Sequence, residues 1–382
     1  MKKPYMFTPG PTMVPAEVLL AEAAPMIHHR TPQFSKILRE TTDWLKELCG
    51  TTQEVFIIAG SGTAAMEAAI ANTCSPGDKA ICAVAGKFGE RWEELCKTYG
   101  CDVKTIAVEW GKSVTVEQAR KALAETPQAR VFCITHSETS TGALTDVEAI
   151  ATLTRKSNTL LVVDSITGLG IHPVKMDQWG VDIVVSGSQK GCMIAPGLAF
   201  IAVSPRTWEA VEKCKSPRYY LDLMAMRKNL EKTTTPFTPA ISLIRALHKA
   251  LEMIREEGPD NVFARHAQLA EASRAAMKAI GLKLVSDCPA NGVTADWAPD
   301  GVDTDKLNKK MRDEYGVTVA GGQEQLKGKI CRISHMGYVE EMDLLVAISA
   351  LEMALTEAGV PLRLGAGVAA AQKAFLDAKA RK

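Results

Sequence analysis

Between about residues 50 and 205, short apolar runs rich in β-branched residues alternate with stretches whose apolar positions recur at helical spacing. EVFIIAG, KAICAVAG, CDVKTIAVEW, RVFCITH, TLLVVDSI, DIVVSGSQK and GLAFIAVS read as strands. TAAMEAAIANT, GERWEELCKTYG, TVEQARKALAET and DVEAIATLTRKS, which lie between them, read as helices. Apolar strands separated by helices predict an α/β fold, a mostly parallel sheet with helices on both faces.

Beyond about residue 235 the texture changes to a long helical stretch, ISLIRALHKALEMIREEG, which resumes after a Gly-Pro break as NVFARHAQLAEASRAAMKAIG. Past it, LKLVS, GVTADWA, VTVAGG and KICRIS read as strands, with helices at roughly 303–315 and 339–357. This predicts an N-terminal segment over 1–15, a large α/β domain over 16–255 and a smaller α+β domain over 256–382. The alanine-rich tail from Leu364 reads either as a last helix or as a loose extension.

Composition narrows the partners. The 45 basic and 44 acidic side chains leave a formal charge of +1, which offers no field for nucleic acid or an anionic membrane. No apolar run approaches the roughly 18 to 20 residues of a membrane span. Prolines break MKKPYMFTPGPTMVP where a secretory signal needs a continuous apolar region, so export is not expected. The ten cysteines are scattered, several inside apolar runs such as AICAV and VFCIT, and read as reduced thiols packed as small hydrophobes in a cytoplasmic protein. Cys96 and Cys101 lack zinc-site spacing, and no metal is expected.

In open α/β sheets ligands bind beyond the carboxyl ends of the strands, so the residues just after each apolar run carry the chemistry. Gly60-Ser61-Gly62-Thr63 ends a strand and opens a helix, where free amides and the Ser61 and Thr63 hydroxyls could take a phosphate or where Ser61 could simply cap the helix. Asp164 ends LLVVD, and a buried carboxylate there needs a cation, a protonated ring nitrogen or backbone donors. Lys190 stands 26 residues later in SGSQKG. A lysine in a poorly solvated site has its ammonium form disfavoured, and the free amine can form a Schiff base. A phosphate cradle, an aromatic ring in GKFGER, an aspartate and a lysine are the handles that pyridoxal 5'-phosphate requires.

TPGPT, GSGTAAMEAA, GKFGERW, THSETSTG, VDSITGLG, SGSQKG with the following PGLAF, TPFTPAISLIRAL and CRISHMG together run through nearly the whole chain. In them the sequence resembles the class V aminotransferases of the fold-type I pyridoxal-phosphate enzymes, in particular the alanine-glyoxylate, serine-glyoxylate and serine-pyruvate group. The resemblance implies that Lys190 bonds covalently to the cofactor, that Asp164 pairs with its ring nitrogen, and that Phe88 and Ile166 cover its two faces. It implies that Ser61, Gly62, Thr63 and Gln189 hold the phosphate and that Thr139 sits near the phenolic oxygen. It places Arg332 on the substrate carboxylate and brings the backbone of Gly10 to the substrate. Thr238, with Thr235 as a competitor, would reach the phosphate in the neighbouring subunit of a homodimer. His28, His29 and Arg30 fall to the mouth of the site or an interface.

The implied reaction transfers an amino group from alanine or serine to glyoxylate or pyruvate in two half-reactions, with Lys190 moving the proton. A 2-aminoethylphosphonate transaminase is an alternative, because a guanidinium binds phosphonate as it binds carboxylate. A cysteine desulfurase-like lyase ranks lower because Gln189 stands where those enzymes commonly carry histidine, and a non-catalytic scaffold is opposed by the intact Lys190, Asp164 and Arg332.

Overall fold

A computed structural model describes residues 3–381. Its centre is a seven-stranded sheet of β1 (Glu54–Ala59), β2 (Lys79–Val84), β3 (Asp102–Ala107), β4 (Ala129–Thr135), β5 (Leu160–Asp164), β6 (Ile183–Gly187) and β7 (Leu198–Val203). The spatial order is β1-β7-β6-β5-β4-β2-β3. Only β7 runs antiparallel to its neighbours, and the other pairs are parallel. β5, β6 and β7 are buried along their whole length, which explains why they read as continuous apolar runs rather than alternating ones.

Two apolar layers cover the sheet. One packs Phe34, Leu45, Phe132, Leu161, Phe200 and Leu247, and the other packs Met66, Ile70, Trp92, Val162, Val185 and Ile201. Alternate residues of a strand point to opposite faces, so Leu161 and Val162 belong to different layers. The Gly62–Thr73 helix is buried along most of its length, and its alanines let it lie close against β6 and β7.

A second sheet carries Lys283–Leu284, Val293–Trp297, Ile330–Ser334 and Ala320–Gly321 in that spatial order, all antiparallel. It is covered by the helices Pro259–Ala279, Thr304–Tyr315 and Glu341–Glu357. VTVAGG, which reads as one strand, is divided at Val319: Val317–Thr318 pairs with the N-terminal Tyr5–Met6, and Ala320–Gly321 pairs with Ile330–Ser334. That division ties the N-terminus to the C-terminal sheet. The tail resolves as a helix, Ala366–Ala380, which buries Ala371 and Phe375 in the same core. Its start is held from another element, because the buried Glu352 carboxylate accepts from Gly365 N at 2.9 Å and Gly367 N at 2.6 Å. Burying Phe375 contributes roughly 1.5–3 kcal/mol. No helix among the described residues is long and apolar enough to cross a membrane.

Candidate active site

The carboxyl ends of β4, β5 and β6 converge with the N-terminal segment and the second sheet on Lys190. Its side chain is buried, and Nζ donates to the carbonyl of Pro9. Gly10 lies so close, at φ +124°, that a Cβ there would overlap the lysine amine. Thr12 fixes the same stretch from the other side, its amide donating to Gln189 O at 3.2 Å and its hydroxyl to Lys190 O at 3.1 Å. Burial lowers the Lys190 ammonium to a pKa of about 8; Arg332 and Arg91 push the same way and Asp164 opposes them. The amine form is therefore within reach near neutral pH.

Asp164, at the end of β5, is 3% exposed. Its Oδ1 accepts from Ile166 N at 2.8 Å, while among the described residues Oδ2 accepts from nothing and no lysine or arginine forms an ion pair with it. Burial raises its pKa to about 7, against the pull of the Ile166 amide. An under-satisfied carboxyl beside a lysine whose ammonium form is disfavoured by burial is the electrostatic arrangement of a reactive centre rather than of a structural ion pair.

The Gly62–Thr73 helix points its start at this region. Ser61 occupies the capping position in extended conformation, yet its side chain makes no capping hydrogen bond and is exposed. The first amides of any helix lack intrahelical partners, so both they and the hydroxyl are available. A Cβ on Gly62 would overlap Ile166 Cδ1, so helix start and β5 loop meet in close contact. Thr139 Oγ1 lies 2.9 Å from Thr167 Oγ1. Phe88, half-buried, begins the Lys87–Thr98 helix. Arg332 comes from the second sheet and is 5% exposed. Its Nη1 donates to Thr139 O at 2.7 Å and its Nε to Gly321 O at 2.8 Å, which leaves the remaining N–H groups of the fork unused. Burial lowers its pKa to about 10, so it stays cationic at neutral pH.

Gln189 is half-buried beside the Ser188 hydroxyl, 3.4 Å away. Thr238 stands apart: it is exposed, and no hydrogen bond among the described residues links it to the Lys190 group. Thr235 donates to Phe237 O at 2.7 Å within the same segment. His28 and Arg30 are exposed, and Arg30 Nη1 reaches Thr234 Oγ1 at 3.5 Å. An open cleft of about 600 Å³, lined by Lys3, Tyr5, Met253, Arg265 and Tyr338 among others, contains none of these predicted residues.

Two site residues escaped sequence reasoning. Glu138 is 1% exposed and accepts from Phe88 N at 3.2 Å, Gly89 N at 3.1 Å, Ser140 N at 3.2 Å and the Ser140 hydroxyl. It thereby caps the Phe88 helix from outside, since the local capping residue is Gly86. Arg91 donates from Nη1 to Thr63 Oγ1 at 3.2 Å, and its guanidinium lies 5.0 Å from the Phe88 ring centre. Glu138 follows the β4 run directly in THSETSTG and could have been singled out as a carboxylate just past a buried strand end. Arg91 carried no signal apart from its place three residues after Phe88.

The aminotransferase class-V family model matches residues 4–345. The chain belongs to the class-V aminotransferase family. A curated relative from Synechococcus sp., named soluble hydrogenase, small subunit, is 44% identical over 98% of this chain and 99% of its own. The L-aspartate–glyoxylate aminotransferase of Paracoccus denitrificans is 38% identical over 97% of this chain and 96% of its own. Among solved structures, the ureidoglycine-glyoxylate aminotransferase of Bacillus subtilis superposes with a TM-score of 0.93 at 28% identity, covering 98% of each chain. In this chain Lys190, Asp164, Arg332 and Glu138 are buried ionisable groups close enough to shift one another's titration.

Proposed function

We propose that this chain is a pyridoxal 5'-phosphate-dependent transaminase that transfers an amino group from a small amino acid, alanine or serine, to glyoxylate or pyruvate. The observation that carries this reading is a buried lysine of pKa about 8 beside a buried aspartate with an unused carboxyl oxygen. Relatives and structural neighbours named as glyoxylate aminotransferases support it.

The residues present fit the cofactor. Asp164 Oδ2 is a free acceptor for a ring N–H, the uncapped Gly62–Thr73 helix start offers donors to a phosphate, and no side chain at Gly10 obstructs the amine. When bound, pyridoxal phosphate supplies an aldehyde that bonds to amines and a ring that takes up the electron pair left at the substrate α-carbon. Lys190 Nζ, its pKa lowered to about 8 by burial, removes and returns the proton at that carbon. Asp164 would keep the ring nitrogen protonated, Phe88 and Ile166 would hold the ring, and Thr139 would serve its phenolic oxygen. Ser61, Gly62, Thr63 and Gln189 take the phosphate. Arg332 orients the substrate carboxylate with the N–H groups left free by Thr139 and Gly321, and Gly10 presents its backbone to the substrate.

In this reading the enzyme is a cytoplasmic homodimer whose Thr238 completes the partner's phosphate site, built from segment 1–15, a cofactor domain over 16–255 and a small domain over 256–382. Ten unpaired cysteines support a reducing compartment. Leu20, Met26 and Tyr219, exposed by 72%, 68% and 81%, support a covered surface in the assembly. The name printed for the Synechococcus relative supports a second, redox reading, in which the chain is a subunit of a soluble hydrogenase.

The deciding measurement is the near-visible absorption spectrum of the purified protein, supplied with cofactor, before and after L-alanine, L-serine or L-aspartate. A band absent from Lys190→Ala and bleached by alanine or serine is expected. A band that no amino acid alters leaves the redox reading in force, and a response confined to aspartate moves the donor class to dicarboxylates.

A further inference from the structure

Half of the ten cysteines gather behind the active site. Cys82 on β2 and Cys133 on β4 are Cα partners across the parallel pair, so both side chains project from one face of the sheet at the same level. Cys96, on the inner face of the Lys87–Thr98 helix, lies over them. The three sulfurs lie within 4.8 Å of one another, and Cys82 Sγ is 3.7 Å from Cys96 Sγ. All three side chains have zero exposure. Cys101 lies beyond Cys96, within hydrogen-bond reach of it and of Cys74, and so stands outside the triangle.

The geometry points to a three-sulfur binding site for a soft monovalent d10 cation, Cu(I), formed by Cys82, Cys96 and Cys133. Thiolate bonds of about 2.3 Å in a planar three-coordinate centre place sulfurs about 4.0 Å apart, so an ion enters this triangle with shifts of a few tenths of an ångström. Sulfur-only donor sets select soft ions. Zinc and iron–sulfur centres take four such ligands, and Cys101 stands outside the group of sulfurs that lie within 4.8 Å of one another.

Charge balance also constrains the ion. Two thiols lose their protons to solvent as Cu(I) binds and the third sulfur donates as a neutral thiol, which limits the buried complex to a single negative charge. A divalent hard cation would instead need oxygen ligands, and this pocket contains none in the sulfur triangle. Trp92, four residues before Cys96 and thus on the same helix face, has a fully buried indole N–H with no partner. An anionic sulfur would be an acceptor for that donor, whereas the apolar layer around it has none to offer.

The test uses the full-length, cofactor-loaded protein from cells grown with added copper, followed by anaerobic titration with Cu(I) against a chelator. About one chelator-resistant copper per chain is expected in the parent and in Cys214→Ala/Cys288→Ala, which removes the two less buried cysteines. That equivalent is lost in Cys82→Ala and Cys133→Ala. Copper retained in those variants, or none held by the parent after both treatments, overturns the site. Should the variants fail to fold, X-ray absorption on the copper-loaded parent decides: three sulfurs at about 2.3 Å support the site, and nitrogen or oxygen ligands sink it.

Discussion

Asp164 and Asp182 are buried carboxyls on neighbouring strands of one sheet, 3% and 2% exposed, at its opposite ends. Asp182, just before β6, uses both oxygens: it accepts from Ser204 Oγ and Leu161 N, each at 2.9 Å, and Arg206 Nη1 lies 3.6 Å away. Asp164, at the carboxyl end of β5, has one backbone donor and no ion-pair partner. Burial raises the pKa of both, yet only Asp182 sits in a closed set of partners. Equal burial therefore has different meanings. A satisfied carboxylate locks strand to helix, and an under-satisfied one at the ligand-binding edge is held ready for a group still to arrive.

The largest test of that contrast is Asp164→Asn. With cofactor present, kcat should fall by about 10²–10⁴, the range a positioned ionisable group supplies, while the fold persists. Without cofactor the sign on stability is reversed. A folded-state pKa of about 7, above the ordinary 3.8, means that the native protein loses stability as pH rises from about 4 to about 7. The asparagine variant should lack this decline, as melting temperatures at pH 5 and pH 8 would reveal.

Glu138→Ala comes next. It leaves the Phe88, Gly89 and Ser140 amides without their acceptor, at a cost near 3 kcal/mol, and it should weaken cofactor binding because Phe88 is no longer held. Equilibrium unfolding with and without cofactor separates the two effects, and unchanged cofactor affinity would make Glu138 a purely structural cap. Asp182→Ala should cost about 1–3 kcal/mol in denaturant unfolding with kcat and KM of the folded fraction unaltered. A loss of kcat there would erase the distinction between the two ends of the sheet.

The smallest effect is expected at Asp296. It is 2% exposed, its Oδ1 has no partner, and burial raises its pKa well above 3.8, which favours the protonated acid. Asparagine should change stability by about 1 kcal/mol or less and should flatten part of the decline with rising pH. A large loss at neutral pH would show that Asp296 is ionised and paired.

Much of this was legible in the chain. The apolar runs of β1 to β7 and the helices between them follow from local periodicity, Lys190 and Asp164 stand out as ionisable groups at the ends of apolar runs, and Arg332 is marked only by the family resemblance. VTVAGG was misread as one strand because pairing partners, Tyr5–Met6 on one side and Ile330–Ser334 on the other, do not appear in local pattern. Ser61 and the tail could be read two ways, and in each case a distant contact or its absence decided: no capping bond at Ser61, and Glu352 at the start of the last helix.

The sequence by itself determined the α/β class, the order of its elements and the lysine and aspartate that close two of its strands, because burial and helix or strand period are encoded residue by residue. Tertiary structure alone decided that Pro9 meets the Lys190 amine, that Glu138 caps the Phe88 helix, that Arg91 reaches Thr63, and that Cys82, Cys96 and Cys133 share a point behind the site. These contacts join residues 14 to 181 positions apart. Their geometry depends on how strands and helices stack, and no spacing along the chain expresses that.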